Sequence, residues 1–582
     1  MKKNQGGYAP EKASFREYLG IFKGIKLPWL FIILIFAATI GSTMAGLSVS
    51  FFTGDMVDAN GDVPTAQLVS FALGYLAMAA CSAGSVIFQG IASERINLGL
   101  RRKLWRKIIY TRQSCYDKDG GEMLISRVTT DCDFASKLLT TIVGFLSIAV
   151  SLYMYIFQMY GLSVKIANYV MLLVPASILI GWGYAKLKFL IAQKTQAMLA
   201  GSTAYLAERT RNLSMVKISN TQEQEIRLGE QKFQEQYVMQ IKTGLMNAFY
   251  TSLQTLYSII SVVIPFAVGA GLVAKNVLTV GDVIAFYAIA GAVGTYFTNV
   301  IDSVGAIRQA NGALARVINT MKLPDEQVEE GRDLDEPDAD LHFVDVRFGY
   351  GEEDVLKQVT CQIPKHKVTA IIGSNGSGKT TLFKLTERLY DPRGGEVRFG
   401  ATDAKEYNLH AWRKAFGMVA QGSPLLEGTI RENICYGCER MVSEEELVKV
   451  AKETGVYEFV SKLPDGFETL VAPGGENFSG GQRQCIAIAR AMMCSPDYLL
   501  LDEATSNLDA KSERAVIDGL ERLMRGRTTV VIAHSLAAIR HADHVIVLKD
   551  GKVNASGRPE EILAETDNYL IQVMNRKKPQ MA

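Results

Sequence analysis

At 582 residues the chain is too long for one ordinary domain. Apolar residues make up 48% of it and the formal net charge is only +2, so no nucleic-acid partner is expected. Its eight cysteines (Cys81, Cys115, Cys132, Cys361, Cys435, Cys438, Cys485 and Cys494) are scattered outside any apparent extracellular loop, which excludes a disulfide framework.

The first residues lack an early apolar core followed by a cleavage site, so no removable signal peptide is expected. Instead Phe15, Tyr18, Leu19 and Phe22 recur at helical spacing beside Lys12, Arg16 and Lys23. That pattern predicts a short helix lying in a membrane interface or packed on protein.

Long apolar runs crowd the first ~305 positions, and a bilayer core needs about twenty apolar residues per helix. Six spans are predicted, near Pro28–Phe52, Leu68–Ala92, Thr140–Tyr160, Ala167–Tyr184, Tyr250–Val273 and Val283–Ile301. Two long connections between them are basic. The first holds Arg101, Arg102, Lys103, Arg106 and Lys107; the second holds Lys186, Lys188, Lys194, Arg209 and Arg211. The other connections are poor in Lys and Arg, so the long ones are assigned to the cytoplasm. Both are compatible with helix and predict levers extending the spans toward a soluble domain. The span interiors carry Gln89, Gln158 and Gln254 but no carboxylate chain suited to a proton relay. Tyr250, Tyr257, Phe286, Tyr287, Tyr296 and Phe297 cluster in the last two spans, where they either line a cavity for an amphipathic substrate or pack between helices and against lipid.

The acidic stretch "PDEQVEEGRDLDEPDAD" (Pro324 to Asp340) reads as a solvated linker. The expected organisation is a membrane domain over 1–322, a linker over 323–340 and a nucleotide domain over 341–582. The expected fold class is an all-α polytopic membrane domain of six helices followed by an α/β P-loop NTPase domain.

"KVTAIIGSNGSGKTTLFKLTERLY" reads as strand, glycine loop, helix. Gly373, Gly378, Lys379 and Thr380 fit G-x-x-x-x-G-K-[ST]. Backbone N–H groups from Ser374 through Thr381 (Ser374, Asn375, Gly376, Ser377, Gly378, Lys379, Thr380 and Thr381) would converge on the phosphates of ATP, aided by the helix dipole. Lys379 would neutralise the β- and γ-phosphates, and the Thr380 hydroxyl would hold Mg2+. "CYGC" (Cys435 to Cys438) has metal-like spacing, but no second pair accompanies it, and reduced, partly buried thiols are expected. "YLLLDEATSNLD" reads as a buried parallel strand delivering Asp502 to Mg2+ and Glu503 to the attacking water. Gln421 and His534 also end apolar strands. His534 is assigned as a γ-phosphate sensor, Gln421 as a companion beside the metal, and Tyr350 as a ring on which adenine stacks.

Tyr350, "GSNGSGKT", Gln421, "FSGGQRQ", "LLLLDEATSNLD" and His534, in that order, resemble the ATP-binding cassette of ABC transporters. With six preceding spans and two long loops, the whole chain resembles an exporter-type half-transporter. The resemblance implies two cassettes paired head to tail around two ATP molecules. Ser479, Gly480, Gly481 and Gln482 would then touch ATP held by the partner's Lys379, and Asp509 would sit at the same junction. Glu208 to Ser214 and the region from Cys115 to Gly121 would carry the coupling helices. It further implies an ATP-driven exporter of an amphipathic small molecule, lipid or peptide, in a bacterial inner or plasma membrane with the cassette in the cytoplasm. An importer of the same fold, an ATP-gated channel or a regulator are the alternatives. One complete set of motifs favours a homodimer over a heterodimer. Two departures stand out. Phe478 replaces the usual leucine of the signature, and "VAPGGEN" (Val471 to Asn477) puts Pro473 where such exporters carry a glutamate.

Overall fold

A computed structural model describes residues 15–59, 63–119, 121–328, 330–334, 338–502, 510–533, 539 and 541–565. By internal contacts the chain forms two units. One comprises Met1–Ile109 with Gly121–Leu323, the other Tyr110–Gly120 with Pro324–Ala582.

The first unit is helical. After α1 (Phe15–Phe22) come α2 (Trp29–Asp58) and α3 (Thr65–Ile109). Beyond α4 (Gln113–Asp119), which belongs to the second unit, follow α5 (Gly121–Ser126) and α6 (Cys132–Leu162). Then come α7 (Val164–Met171), α8 (Val174–Arg211), α9 (Leu213–Ile218), α10 (Gln222–Val273) and α11 (Val280–Met321). Six helical stretches among the described residues are long and apolar enough to cross a membrane, and they contain the six predicted spans except for Pro28, which caps the first of them. The helices run on well past the apolar segments. The 52 residues of α10 reach ~78 Å at ~1.5 Å per residue, far more than the hydrocarbon core requires.

Small residues set the approach of α2 to α11. A Cβ placed on Gly54 would stand 2.7 Å from the Gly281 carbonyl oxygen, so only glycine lets the two backbones meet there. The Asp58 carboxylate accepts from the Gly281 N–H at 2.8 Å and closes that junction. Deeper in, the Thr43 hydroxyl meets Ser151 at 2.7 Å and Tyr296 at 3.2 Å, satisfying polar groups among apolar ones. At the other end of the bundle the Arg316 guanidinium grips the buried Asp131 carboxylate through both oxygens. Helix α1 is tied to protein: Lys103 donates to the Ile21 and Lys23 carbonyls, and Lys322 pairs with Glu17 at 2.7 Å.

The second unit is α/β. One sheet is antiparallel in order β2-β1-β4-β5, from β1 (Leu341–Phe348), β2 (Leu356–Ile363), β4 (Gly394–Phe399) and β5 (Thr402–Asp403). The main sheet takes β3 (Val368–Gly373), β6 (Phe416–Val419), β9 (Tyr498–Asp502), β10 (Thr528–Ile532), β11 (His544–Lys549) and β12 (Lys552–Gly557), ordered β12-β11-β3-β10-β9-β6. All its pairings are parallel except the edge pair β11–β12. Its central strands are buried on both faces, which is why β9 reads as an unbroken Tyr-Leu-Leu-Leu run instead of an alternating one. A small ladder joins β7 (Gly428–Thr429) to β8 (Leu470–Val471).

Helices α12 (Lys379–Thr386) and α13 (Leu409–Ala415) flank the sheets. A second cluster, α14 (Ile430–Ile434), α15 (Glu444–Glu453), α16 (Val456–Val460) and α17 (Gly480–Cys494), shares one apolar core with α18 (Ala510–Met524). The acidic stretch is not a free tether. Among its described residues Glu326 takes both ends of the Arg413 guanidinium, and Arg332 exchanges backbone hydrogen bonds with Glu406 and Asn408. Helix α4 joins the same unit: Tyr390 donates to Asp117, and Arg112 pairs with Asp391 at 3.4 Å.

Candidate nucleotide site

Parallel strands deliver their carboxyl ends to one edge, where open α/β sheets place ligands. Here β3 ends at Gly373, β9 at Asp502, β10 at Ile532 and β6 at Val419, and the registers Ile371↔Ile532, Ile532↔Asp502 and Val419↔Leu501 keep those ends level.

The loop from Gly373 to Lys379 turns on two left-handed glycines, Gly376 at φ +82° and Gly378 at φ +101°. At Gly378 a side chain is excluded on steric grounds too, since a Cβ would lie 2.4 Å from the Leu356 side chain. Helix α12 starts immediately after, so its free N–H groups face the loop. The buried Lys379 ammonium donates to the carbonyls of Gly373 and Ser374, both at 2.9 Å, and thus lies curled inside the loop. The Ser377 hydroxyl is buried there without a hydrogen-bond partner. An orphaned hydroxyl, a caged ammonium and a helix N-terminus around one concave loop fit a phosphate chain. Thr380 is exposed at the mouth, while Thr381 is buried with its hydroxyl 3.4 Å from that of Tyr350.

Tyr350 lies just past β1. Its ring meets Tyr390 edge-on at 5.3 Å, and the Lys384 ammonium stands 5.0 Å from its centroid. Asp502 is buried at the end of β9, and Gln421 is exposed two residues past β6. Like Thr380, both carry oxygen donors of the kind Mg2+ takes. Glu503, Asp509 and His534 lie outside the described residues.

The second glycine pair sits elsewhere, at the start of α17. Ser479 is the N-cap, its hydroxyl accepting from the Gln482 N–H while the Gln482 side chain accepts from the Ser479 N–H at 2.9 Å. Gly480 and Gly481 form the first turn. Just upstream, Pro473–Gly475 form a tight turn with Gly474 and Gly475 both left-handed, at φ +67° and +72°. Asn477 holds that turn, accepting from the Ala472 N–H and donating to the Leu470 carbonyl. Phe478, in the usual leucine's place, is buried in the core shared by α14 to α18.

Sequence comparison decides the family. The family described as ABC transporter transmembrane region matches residues 31–297, and the one described as ABC transporter matches residues 356–506. A lipid A-core flippase of Francisella tularensis, described as ATP-dependent, is 30% identical over 503 residues, covering 84% of this chain and 82% of its own. The chain belongs to the ABC transporters. Other relatives span it almost end to end. A multidrug resistance ABC transporter ATP-binding and permease protein of Lactococcus lactis is 29% identical over 574 residues, 97% of this chain and 96% of that protein. An ABC multidrug transporter of Aspergillus fumigatus is 30% identical over 98% of this chain and 74% of its own length. This ABC transporter is therefore a multi-pass membrane protein of the exporter type that binds ATP and couples its hydrolysis to export.

Two features of the cassette escaped sequence reasoning. Glu387 directly follows α12, and burial raises its carboxyl to about 7; Arg413 and Lys384 oppose the rise and Asp502 adds to it. Gln484, the last residue of "FSGGQRQ", is buried and accepts from the Ser423 hydroxyl, with its amide nitrogen unpartnered. No motif marks Glu387, and the motif that holds Gln484 does not announce its burial or its Ser423 partner. In the membrane unit a cavity of ≈ 110 Å³ lies between α8, α10 and α11, lined by Tyr250, Gln254, Tyr257, Phe297 and Thr298 among others. Gln254 donates to the Thr298 hydroxyl at 2.8 Å. Of the expected aromatic lining, Phe286 is instead fully buried between helices, and Tyr296 pairs with Tyr155.

Proposed function

We propose that two copies of this chain export an amphipathic compound across a plasma membrane, bacterial inner membrane included, with the cassettes in the cytoplasm. The cavity between α8, α10 and α11 carries the substrate assignment. Its lining is aromatic rings and neutral hydroxyl and amide groups, with no charged side chain among the described residues. Such walls suit a molecule with an apolar body and a few hydrogen-bonding groups. The relatives named for lipid A-core and for multidrug resistance support the same class.

In this reading the loop from Ser374 to Thr381 cradles the phosphates, and Lys379 leaves the Gly373 and Ser374 carbonyls for phosphate oxygens. Tyr350 stacks on adenine. Thr380, Gln421 and Asp502 would hold Mg2+, which when bound would neutralise charge developing on the transferred phosphoryl group. Glu503 takes the proton of the attacking water, and His534 holds the γ-phosphate. Ser479, Gly480, Gly481 and Gln482 close the partner's site, beside Asp509. Helix α12 supplies one anion-binding end, α17 the other, and the second matters only once a partner arrives.

A mixed dimer tests the arrangement. Pairing one Lys379→Ala chain with one Ser479→Arg chain puts both defects in one composite site and leaves the other intact. Retention of one working site supports the reading; equal damage to both refutes it. Substrate class and direction are tested in inside-out vesicles, where ATP-dependent uptake of an amphipathic dye is expected. Uptake of hydrophilic chelates alone would overturn the substrate class, and net release would overturn the export reading.

A further inference from the structure

The "CYGC" motif has no role in the site above. Among the described residues no group of three or more His, Cys, Asp or Glu is placed to hold a metal ion. Yet Cys438 has a partner distant in sequence. Its sulfur lies 3.3 Å from that of Cys494, the last residue of α17. Cys494 is exposed and Cys438 is partly buried, and both are free thiols. Gly437, left-handed at φ +90°, turns the loop so that its own Cα faces the Cys494 sulfur; a Cβ there would come within 3.8 Å of it.

The neighbourhood makes this contact a mechanical junction. Glu439, next to Cys438, is gripped by His410 at 2.7 Å and Lys414 at 2.6 Å, both on α13. On the other side Arg490 of α17 donates to the Asn433 carbonyl of α14 at 2.8 Å. The loop between α14 and α15 thus touches α13 through Glu439 and the end of α17 through Cys438. Helix α17 is the element whose opposite end carries Ser479, ~22 Å away at ~1.5 Å per residue.

We propose that Cys438 and Cys494 form a reversible intrachain disulfide when a small-molecule disulfide is present, and that this bond slows ATP turnover by fixing the base of α17. The exposed Cys494 thiolate attacks one sulfur of the oxidant, releasing its other half as a thiolate and leaving a mixed disulfide. Cys438 then loses its proton and attacks the Cys494 sulfur, expelling the second half. Two protein thiols become one S–S bond, and the oxidant takes up the two electrons and both protons as two thiols. Disulfide geometry requires an approach of ~1.3 Å from the present separation, which a glycine-hinged loop supplies. Burial raises the Cys438 thiol, and its hydrogen bond to Cys494 adds to this, so the resolving step needs proton loss and quickens with pH. In a reducing compartment the pair rests as thiols and closes only under oxidation.

The test uses the full chain in lipid nanodiscs with oxidised glutathione as the probe. Free thiols are alkylated, the protein is digested without reduction, and peptides are mapped by mass. The expected product links the Cys438 and Cys494 peptides and is two hydrogens lighter than their sum. ATP turnover should fall severalfold and recover with dithiothreitol. Cys438→Ser should stop at the glutathione adduct on Cys494 and keep its turnover, and Cys435→Ser should still form the link. A link from Cys494 to Cys435, glutathione capping alone in the unaltered chain, or full turnover in the linked protein would each overturn the proposal. If Cys438→Ser fails to fold, Cys494→Ser serves, and must show neither link nor slowing.

Discussion

Replacing Glu387 by glutamine should remove a pH-dependent weakness from the cassette. The carboxyl has an ordinary value of 4.5 and is raised to about 7 in the fold, chiefly by burial. The sign follows from linkage. The folded state holds the proton more tightly than the unfolded chain, so the associated stability is fully present below pH 4.5. It drains away as pH rises through 7. A displacement of this size is worth ~3 kcal/mol once the group is fully ionised. The side chain keeps some contact with water, which trims the expected loss to ~2 kcal/mol. For a cassette-sized unit that is about 4–8 °C in Tm between pH 5 and pH 8.5. The reporter is built in. Trp412 is the one tryptophan past residue 182; it is fully buried, and its indole N–H donates to the Thr386 carbonyl, beside Glu387. With Trp29, Trp105 and Trp182 changed to phenylalanine in the full chain, Trp412 fluorescence follows cassette melting alone. Glu387→Gln should melt at nearly the same temperature at both pH values. A variant that keeps the whole pH-dependent drop would refute the assignment to this carboxyl.

Three further outcomes are expected. Arg316→Ala strands the buried Asp131 carboxylate and should cost ~2 kcal/mol in thermal unfolding, largely restored by adding Asp131→Asn; an unchanged Tm in the single variant would show the pair to be inert. Ser479→Ala removes the α17 cap and should cost ~1 kcal/mol, whereas Ser479→Thr keeps the cap. If the hydroxyl serves the partner's ATP, turnover in the alanine variant falls far more than that stability loss explains, and ATPase assays below the melting range measure the difference. Glu503→Gln should bind ATP, hold the cassettes closed and lose nearly all turnover; ordinary hydrolysis in that variant would remove Glu503 from its assigned role.

Legibility in the sequence followed the physics of each signal. The spans and the parallel strands were readable because solvent imposes them. A bilayer demands about twenty apolar residues, and a strand covered on both faces is apolar throughout. The P-loop was readable because its geometry needs glycine at fixed offsets: Gly378 adopts the left-handed backbone, and a Cβ on Gly373 would stand 2.3 Å from the Leu548 carbonyl oxygen. What escaped depends on distance in space. Nothing around Glu387 announces that it will be buried near Asp502. Cys438 and Cys494 are 56 positions apart, and only the fold makes them neighbours. The acidic stretch shows the same limit: most of its described residues are exposed, in keeping with its composition, yet Glu326 is held by Arg413 and the backbone at Arg332 is pinned. Charge content registers hydration preference, not whether a specific cation lies opposite.

The capping box at the start of α17 has a consequence for anion binding. Ser479 and Gln482 each accept from the other's backbone N–H, so two backbone donors of this helix end are taken, while the Ser479 hydroxyl hydrogen and the Gln482 amide hydrogens are left to meet an anion. A phosphate that takes the backbone N–H groups of Ser479 and Gln482 must break that exchange, worth ~1 kcal/mol, whereas one met by the side-chain hydrogens leaves it whole. In the proposed dimer, a nucleotide held on a partner's loop would meet those hydrogens with the cap intact. The cap therefore presets this helix end: it fixes the Ser479 and Gln482 side chains relative to the first turn of α17, so their remaining hydrogens are held in place before any anion arrives.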